Sequence, residues 1–444
     1  MRDWIKKNIP TEVVILLKKI LGYKKLFWQY FYIKRNSLKQ KETLIRLNRK
    51  SHFTVLFVAI SPASWKYASL YRALEKDENF TPYIVVADAT YMPQNEVESN
   101  RLTCLNFFQS QGFRLIFPGK KEFIKVEERD PDIVFFSTPY NHVSEEFQIT
   151  SFSDSLCCYC QYSFVIERQL KFYDSLFQNL LWKYYCETET HRKMAARIAR
   201  TAGKNVFVSG YPTADIIKKR TADDAAHPVF RAAAGRKVVV WAPHWTIKSR
   251  IGIEGVRPPF TSFLEHSEYF FDIVNKHRED IYFVLKPHPQ LIRQLRLVWG
   301  EKKAEDYYVR WRDLPNGRLE LGSYVEFFRI SDAMIFDSRS FLSEYLYTKK
   351  PALYTPYSFG SIDWMNEFGQ LAAPVHYMGW CREDIEHFLS NVVLGGDDWR
   401  RSYRERFVNT FMEFSDDKTV AERIVSDLRS SLIPPRDDGA TNRT

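Results

Sequence analysis

The chain alternates short apolar runs with longer amphipathic stretches from residue 51 onward. Stretches with helical spacing, such as Trp65–Glu75, separate apolar runs that are short enough to be buried strands. The first set of predicted strands comprises Phe53–Ile60, Tyr83–Ala87, Leu115–Phe117, Ile133–Ser137 and a last strand near Val206–Pro212. Strands that alternate with helices predict a parallel sheet covered by helices on both faces.

The same alternation begins again after the polar stretch Lys218–Arg236. The second set of predicted strands comprises Lys237–Trp241, Ile281–Leu285, Ala333–Phe336 and Ala352–Tyr354. Two such sets predict an α/β protein with two Rossmann-like lobes facing a cleft. The predicted domains are a terminal segment (1–50), an N-terminal lobe (51–217), a C-terminal lobe (218–395), terminal helices that pack back across the lobes (396–432) and a loose tail (433–444).

The net charge of +10 belongs to one end of the chain. Residues 1–50 hold 14 Lys and Arg against three acids, whereas the remaining residues hold 50 bases against 51 acids. Nucleic-acid-binding proteins more often spread their basic surface over the folded domain. The charge distribution therefore argues against a nucleic-acid partner.

Bulky apolar residues are interleaved with the lysines of residues 1–50. Lysine pairs such as Lys18-Lys19 interrupt the apolar runs before they reach the roughly 18 residues that a spanning helix needs. This composition is typical of a basic amphipathic helix on an anionic membrane surface, where each basic residue contributes about 1 kcal/mol. We therefore expect a peripheral protein at the cytoplasmic face of the bacterial cell membrane. The alternative is a helix that packs on the lobes and leaves its lysines solvated.

Six cysteines are too few for a disulfide framework in a chain of 444 residues, which favours a reduced, cytoplasmic protein. Cys157, Cys158 and Cys160 are close together but lack the paired spacing of a zinc site. We therefore expect no metal ion held by these residues.

Polar residues follow three predicted strands of the C-terminal lobe. The three stretches are Trp241–Trp245, Lys286–Pro289 and Asp337–Glu344, the last of which continues to Pro351. Because the carboxyl ends of parallel strands meet at one edge of a sheet, we expect the stretches to lie together. That edge is where open α/β sheets bind nucleotides.

These stretches contain the groups that a nucleoside diphosphate requires. Lys286 and His288 supply cationic or hydrogen-bond-donating side chains beside prolines, where they could stabilise charge on phosphate oxygens. The predicted donor-nucleotide site comprises Pro243, Thr246, Lys286, His288, Asp337, Ser338, Arg339, Ser340 and Glu344.

Ser338 and Ser340 precede a helix predicted over Phe341–Tyr347, so their hydroxyls and the free amides of the turn could face an anion. Taken alone, the pair Asp337-Ser338 is more typical of an ordinary helix N-cap than of an anion site. Glu344, one turn further on, could accept hydrogen bonds from ribose hydroxyls.

In their order and spacing, the motifs resemble the CDP-glycerol glycerophosphotransferases of teichoic acid and capsule synthesis, which have the GT-B fold. The resemblance runs from about Trp182 to Pro351. It rests on Glu187 and Glu189, Gly210-Tyr211-Pro212 with Asp215, Ala242-Pro243-His244, Lys286-Pro287-His288-Pro289, Ser331-Asp332-Ala333 and Asp337–Pro351. Each motif is short, and their order makes the set specific.

The resemblance implies that the N-terminal lobe binds the acceptor and the C-terminal lobe binds the donor. It implies a CDP-activated polyol or sugar phosphate as donor, attack by an acceptor hydroxyl on the β-phosphate, and release of CMP. The acceptor would be lipid-linked or a polysaccharide, which suits a membrane-associating segment. No acidic pair stands out as a magnesium site, but the donor could bring Mg²⁺ with its pyrophosphate.

Two features depart from the family pattern. Many relatives place a Trp-His-Gly motif in the N-terminal lobe, whereas the corresponding stretch here, Gln161–Phe164, has no histidine. Arg339 stands where the first of two serines is expected, and only Ser340 matches the second. Arg339 could add a charge beside the pyrophosphate, or it could point to solvent.

His244 is the first candidate for a catalytic role, because it directly follows a strand at the predicted cleft. Phosphate binding is its alternative role, and His288 is the second catalytic candidate. On the acceptor side, the candidates are His142 and Gln161, although a histidine in such a loop is more often one without a catalytic role. Phosphoryl transfer depends mainly on positioning and charge stabilisation, so the missing histidine need not abolish it.

Two other functions stay open. A GT-B glycosyltransferase that uses a CMP-sugar, of the sialic acid or Kdo type, would also carry His-Pro and serine motifs and bind a cytidine nucleotide. A membrane-attached scaffold without catalytic activity would explain the missing histidine. The Gly210-Tyr211-Pro212 and Asp337–Pro351 motifs favour the phosphotransferase. The transferred group, the acceptor and the oligomeric state stay open at this point.

Overall fold

The computed structural model describes residues 11–116, 131–139, 142–219, 222–252 and 255–433. Two parallel sheets define two lobes, as predicted. The first ten residues of the basic segment and the predicted loose tail from residue 434 lie outside the described residues.

The N-terminal lobe is built on a sheet of seven parallel strands in the order β3-β2-β1-β4-β5-β6-β7. The strands are β1 (Phe53–Ala59), β2 (Phe80–Val86), β3 (Leu115–Ile116), β4 (Ile133–Phe136), β5 (Leu156–Cys160), β6 (Lys183–Cys186) and β7 (Val206–Val208). Every residue of β4, β5 and β6 is buried. Continuous burial is typical of parallel strands covered on both faces.

The C-terminal lobe is built on six parallel strands in the order β12-β11-β8-β13-β14-β15, beside a two-stranded antiparallel ribbon, β9-β10. The strands are β8 (Lys237–Ala242), β9 (Arg250–Gly252), β10 (Gly255–Arg257), β11 (Ile281–Leu285), β12 (Gly317–Leu319), β13 (Ala333–Phe336), β14 (Ala352–Tyr354) and β15 (Tyr377–Met378). The three strands that precede the polar stretches, β11, β8 and β13, are therefore neighbours.

Helices cover both sheets. They are α1 (Thr11–Leu47), α2 (Ala68–Lys76), α3 (Gln94–Ser110), α4 (Lys171–Asp174), α5 (Leu176–Leu180), α6 (Glu189–Ile198), α7 (Ala214–Lys218), α8 (Ala222–Ala226), α9 (Pro228–Ala233), α10 (Phe263–His266), α11 (Tyr269–Lys276), α12 (Leu291–Trp299), α13 (Glu301–Arg312), α14 (Val325–Ile330), α15 (Arg339–Glu344), α16 (Glu367–Ala372), α17 (Arg382–His387), α18 (Arg401–Phe411) and α19 (Val420–Leu432). A π-helical stretch, Phe388–Leu394, continues α17. Short 3-10 turns lie at Pro62–Ser64, Glu145–Phe147, Ile149–Ser151, Tyr345–Thr348, Phe359–Ser361 and Ala373–Val375.

Two segments join the lobes. Glu167 of the N-terminal lobe forms an antiparallel bridge with Met365, and the Arg168 N–H donates to the Trp364 carbonyl over 3.1 Å. The last helix, α19, returns from the C-terminal lobe and packs on α2 of the N-terminal lobe. The lobes are thus held together on one side of the cleft by backbone pairing as well as by side chains.

The C-terminal half of α1 lies across the amino edge of the N-terminal sheet. Its polar contacts join Asn36 and Gln40 to the Leu180 carbonyl and Lys39 to Asp154, and Lys50, just after the helix ends, contacts Asp132. Leu180, Asp154 and Asp132 lie shortly before β6, β5 and β4. The helix therefore crosses the end of the lobe that is opposite the carboxyl ends of its strands.

Residues 26–32 of α1 lie before these contacts, and within this range Gln29 accepts a hydrogen bond from Arg200 over 2.8 Å. Leu26, Phe27, Trp28, Tyr30 and Phe31 each expose more than half of their surface. At about 100° per residue, these side chains cover more than half of the helix circumference. Among the described residues, no helix is long and apolar enough to cross a membrane.

The predicted strands Ile281–Leu285, Ala333–Phe336 and Ala352–Tyr354 are confirmed at both ends. The helix predicted over Phe341–Tyr347 is corrected: α15 begins at Arg339, because Ser338 has the extended backbone of an N-cap residue, and a 3-10 turn follows Glu344.

Candidate active site

The three polar stretches converge at the carboxyl edge of the C-terminal sheet. Trp241 of β8 pairs with Leu285 of β11 on one side and with Ile335 of β13 on the other. The strands therefore end level with one another. The His288 N–H donates to the Pro243 carbonyl over 3.0 Å, which joins the loops after β8 and β11.

Aromatic rings surround His244. Its ring centroid lies 5.0 Å from that of His288, 5.7 Å from Trp245 and 5.3 Å from Phe260. Its Nδ1 accepts a hydrogen bond from the Thr246 N–H over 3.2 Å and lies 2.9 Å from the Thr246 hydroxyl. With Nδ1 occupied as an acceptor, a neutral His244 ring carries its proton on Nε2.

Lys286 and His288 have shifted pKa values. Burial lowers the pKa of Lys286 to about 8, and the charges of Glu320 and Glu326 oppose that shift. Burial also lowers the pKa of His288 to about 4, and the Lys286 charge adds to the shift. His288 is therefore neutral near pH 7. Because its Nδ1 accepts from the Gln290 N–H over 3.2 Å, its proton lies on Nε2.

Asp337 connects two loops of the site. One carboxylate oxygen accepts from the His244 N–H over 2.5 Å, and the other accepts from the Thr261 hydroxyl. Burial raises the pKa of Asp337 to about 8, and these hydrogen bonds oppose the shift. Both oxygens are thus used inside the protein to fix the loops that carry His244 and Phe260.

Ser338 and Ser340 lie at the start of α15. Ser338 is the N-cap residue by backbone conformation, but its side chain makes no capping hydrogen bond. Unlike the hydroxyl of an ordinary N-cap serine, the Ser338 hydroxyl therefore does not accept a hydrogen bond from the first N–H groups of the helix. Ser340 is half-buried one residue after Arg339.

Arg339 points into the interface between the lobes. It is only 4% exposed, which excludes the alternative that it points to solvent. Its Nη1 donates to Glu167 of the N-terminal lobe over 2.9 Å, and its Nη2 donates to the Ser361 carbonyl over 3.1 Å. The guanidinium carbon lies 3.8 Å from the centroid of the Phe260 ring.

Glu344, at the other end of α15, also lies between the lobes. It is 1% exposed and accepts a hydrogen bond from the Tyr324 hydroxyl over 2.5 Å. Lys66 of the N-terminal lobe donates to the same hydroxyl over 3.2 Å. Burial raises the pKa of Glu344, and the Lys66 charge opposes that shift. Its carboxylate therefore already has protein partners.

The two acceptor-side candidates have different surroundings. His142 is exposed near the carboxyl edge of the N-terminal sheet, with its ring 5.5 Å from that of Tyr91. Gln161 is 1% exposed, and its amide contacts the hydroxyls of Tyr159 and Tyr184. Gln161 is thus part of the core of its lobe. Tyr140 and Asn141, beside His142, lie outside the described residues.

Several motif residues lie away from the cleft. Asp215 accepts from the N–H groups of Val420 and Ala421 over 2.8 and 3.0 Å, so it caps the start of α19. Gly210 has φ +96°, and an added Cβ would lie 2.9 Å from the Val420 side chain. Asp332 accepts from the Val238 N–H at the amino edge of the C-terminal sheet. These motifs stabilise the fold.

A cavity of about 670 Å³ lies at that amino edge, opposite the polar strand ends. Its basic residues have partners: Arg329 pairs with Asp224, Lys237 with Asp332, and Lys350 donates to backbone carbonyls. The cavity therefore offers no evident anion site. In the described part of the chain, no group of three His, Cys, Asp or Glu could hold a metal ion.

Sequence reasoning missed Glu167, Phe260 and Thr261. All three lie outside the predicted strands, and only the structure brings them to the ends of β8 and β13. The pair Pro258-Pro259 was the one available signal, since two prolines before Phe260 indicate a stiff loop.

Comparison with known families decides the identity. The model of the CDP-Glycerol:Poly(glycerophosphate) glycerophosphotransferase family matches residues 168–429, which is more than half of the chain. The chain belongs to this family. It is therefore a transferase, and the resemblance inferred from the motifs is confirmed. No curated protein matches the chain.

Solved structures with a similar fold include two of the wall teichoic acid polymerase TagF. A histidine-to-asparagine variant has a TM-score of 0.56 at 12% identity, over 94% of this chain and 98% of that one. The same variant soaked with CDPG has a TM-score of 0.53 at 12% identity, over 93% and 98%. S. aureus MnaA with UDP has a TM-score of 0.53 at 14% identity, over 86% and 97%. At these identities, the structures confirm the GT-B fold.

Proposed function

We propose that the protein transfers a polyol-phosphate or sugar-phosphate unit from a CDP-activated donor, of the CDP-glycerol or CDP-ribitol type, to a hydroxyl of a lipid-linked or capsular glycan. The observation that supports this most is the convergence of Lys286, His288, His244 and the two serines at three adjacent strand ends. Family membership and the likeness to TagF soaked with CDPG support the choice of donor.

Lys286 and His288 would bind the donor phosphates. Below pH 8 the Lys286 ammonium is charged, and an arriving diphosphate would favour that charged form further. The neutral His288 would donate from Nε2 to a phosphate oxygen. The buried Lys286 cation and the neutral hydrogen-bond donor His288 would together stabilise negative charge. They avoid the repulsion that two neighbouring cations would have.

His244 would donate a hydrogen bond from Nε2 to the donor phosphates. The Thr246 N–H on Nδ1 supports this role over that of a general base, because a base needs a free lone pair. The hydroxyls of Ser338 and Ser340 would complete the phosphate site from the third strand end.

In the reaction, the acceptor oxygen bonds to the β-phosphorus as the bond to the bridging oxygen breaks. CMP leaves with that oxygen and its electron pair, and the hydroxyl proton passes to a base or to water. His142 is the proposed base, since it is exposed at the carboxyl edge of the acceptor lobe. A magnesium ion, where needed, would arrive with the donor, because Asp337 already accepts two hydrogen bonds.

The proposal is tested by incubating the purified protein and a membrane fraction with CDP-glycerol, CDP-ribitol, CMP-sialic acid and CMP-Kdo, and by measuring nucleotide release. We expect CMP from a CDP-polyol. Release only from a CMP-sugar would identify a glycosyltransferase instead, and release from none would favour the scaffold.

His288→Ala and His387→Ala provide a matched pair in the same assay. His288 lies at the strand ends, whereas His387 is exposed at the end of α17, where its ring contacts the Asn391 amide. At limiting concentrations of the CDP-activated donor, we expect His288→Ala to lose at least about tenfold in turnover. His387→Ala should turn over at the wild-type rate. His142→Ala should lower kcat with little change in the KM for the donor if His142 is the base.

We also propose that α1 attaches the protein to the cytoplasmic face of the membrane. Gln29, Ile33 and the part of α1 after residue 35 contact the lobe, so we assign membrane contact to the exposed side chains among residues 26–32. Aromatic side chains beside lysines favour the interface of an anionic bilayer. The donor site would then be far from the surface, since α1 lies at the amino edge of the acceptor lobe.

Co-sedimentation with vesicles tests this attachment. We expect the wild type to bind vesicles with 30% phosphatidylglycerol but not pure phosphatidylcholine, and the variant Phe27→Ser/Trp28→Ser/Phe31→Ser to lose most binding, on the order of tenfold. Leu297→Ser, at a residue 71% exposed on α12, is the control that should bind normally. Equal binding by the triple variant would refute the role of α1.

A further inference from the structure

Arg339 connects the donor site to the acceptor lobe through a single buried side chain. Its guanidinium donates to Glu167 in the N-terminal lobe and to the Ser361 carbonyl in the C-terminal lobe, over 2.9 and 3.1 Å. The flat face of the same group lies over the Phe260 ring at 3.8 Å. A serine, which the family pattern would place here, is too short to make these three contacts at the same time.

Phe260 in turn contacts the His244 ring, at 5.3 Å between centroids. The Phe260 N–H donates to the Thr246 carbonyl and hydroxyl over 3.2 and 3.1 Å. Thr246 also donates to His244 Nδ1. The orientation of His244 is therefore set by Phe260 and Thr246, and the Phe260 ring is set by Arg339.

We propose that Arg339 and Glu167 are positioning residues for the transfer: Glu167 holds Arg339, which holds Phe260 against His244. This inference rests on the proposed function. It makes the orientation of His244 depend on where the acceptor lobe lies, because Glu167 belongs to that lobe.

The pair is not needed to hold the lobes together. The Glu167–Met365 bridge and the bond from the Arg168 N–H to the Trp364 carbonyl are formed by backbone atoms. Asn366 adds a bond to the Val165 carbonyl over 2.8 Å. Loss of the Arg339–Glu167 ion pair should therefore change the site without separating the lobes.

Glu167 also neutralises the Arg339 charge, which argues against Arg339 as a ligand of the donor pyrophosphate. A phosphate ligand and a positioning residue differ in a measurable way. Loss of a phosphate ligand weakens CDP binding more than CMP binding, since CDP has the additional phosphate. Loss of a positioning residue lowers kcat and leaves both affinities nearly unchanged.

The kinetic test uses the full chain with Arg339→Lys, Glu167→Gln and the double variant. The control is Glu367→Gln, which removes an exposed ion pair between Arg197 and Glu367 that also joins the lobes. We expect kcat to fall about 10- to 100-fold in the first two variants and in the double variant alike, with CDP and CMP affinities within about threefold of wild type. The control should match the wild type.

A second measurement does not depend on the donor. Each histidine ring gives a signal in an NMR spectrum of protein labelled at histidine carbon, and His244→Gln identifies the signal of His244. We expect this signal to shift in Arg339→Lys and Glu167→Gln, and to stay in place in Glu367→Gln. Phe260→Leu should shift the His244 signal and lower kcat. Phe260→Tyr retains an aromatic ring, so its kcat should stay close to that of the wild type.

The outcomes separate the two proposals. If the wild type releases no CMP from any CDP donor, the proposed function fails, and the His244 signal still decides whether the pair sets the ring. An unmoved His244 signal in all variants would overturn the positioning role. A selective loss of CDP affinity with unchanged kcat would overturn it as well, in favour of a phosphate ligand.

Discussion

The backbone N–H of His244 donates to the buried carboxylate of Asp337 over 2.5 Å, so the end of β13 holds the loop that follows β8. The second oxygen of Asp337 accepts from the Thr261 hydroxyl, which adds the loop carrying Phe260. One carboxyl group therefore organises the part of the site that we propose to face the donor phosphates.

Asp337 should make stability depend on pH. Its pKa is about 8 in the folded chain and near 3.8 when exposed, so between these values the folded state binds a proton that the unfolded state does not. Stability should fall as pH rises through this window, by up to about 1.4 kcal/mol per pH unit. Urea denaturation at pH 5.5 and 7.5 measures the slope, which Asp337→Asn should reduce; an equal slope would contradict the burial argument.

Lys286 should make donor binding depend on pH. With a pKa of about 8, it is mostly charged at pH 7 and mostly neutral at pH 9, so CDP affinity should fall about tenfold over this range. Lys286→Arg, which stays charged, should show a much smaller change. Calorimetric titration at both pH values checks this, and an identical decline in both proteins would assign the effect to another group.

His288 should bind the CDP-activated substrate through a hydrogen bond that its neutral ring donates. Because the pKa of His288 is about 4, its titration should change CDP affinity little between pH 5.5 and 7. His288→Gln can retain a donor near the Nε2 atom, so it should keep more affinity than His288→Ala. Equal losses in the two variants would show that the ring itself, and not its Nε2–H, matters.

Gly210 and Asp215 should affect stability and not catalysis. Gly210→Ala forces a Cβ onto a backbone with positive φ and against Val420, at a cost of about 1–3 kcal/mol. Asp215→Ala removes the hydrogen bonds from the Val420 and Ala421 N–H groups at the start of α19, whose N-cap residue Thr419 remains, and should cost about 1 kcal/mol. Urea denaturation and kcat of the folded protein measure both effects; a large loss of kcat in a stable variant would place this motif in the active site.

Much of the fold could be predicted because most of the longer strands of the parallel sheets are buried on both faces and appear as unbroken apolar runs, as in Ile281–Leu285. Leu156–Cys160 was not predicted as a strand, although its buried cysteines pack as small apolar residues and make it an unbroken apolar run as well. Gly317–Leu319 and Tyr377–Met378 are short outer strands, for which two or three residues provide too little pattern.

The candidate site was predictable only in part. Strand ends in one sheet must meet at an edge, so the convergence of His244, Lys286 and Ser338 followed from the strand pattern. The contacts of Arg339 with Glu167 and Phe260 did not, since they depend on how two lobes and an irregular loop are placed. The contacts of Gln161 could not be predicted either, because nothing in the neighbouring sequence indicates that its amide bonds to the hydroxyls of two tyrosines.

The central claim, that the ends of β8, β11 and β13 bind a CDP-activated donor, is tested most directly by calorimetric titration of CDP-glycerol into the wild type, His288→Ala, Ser340→Ala and Lys237→Ala. Lys237 is a half-exposed cation at the opposite edge of the same sheet. We predict saturable binding to the wild type and to Lys237→Ala, and affinities about tenfold weaker in the other two. Equal affinity in all four proteins, or weakening by Lys237→Ala alone, would contradict the account.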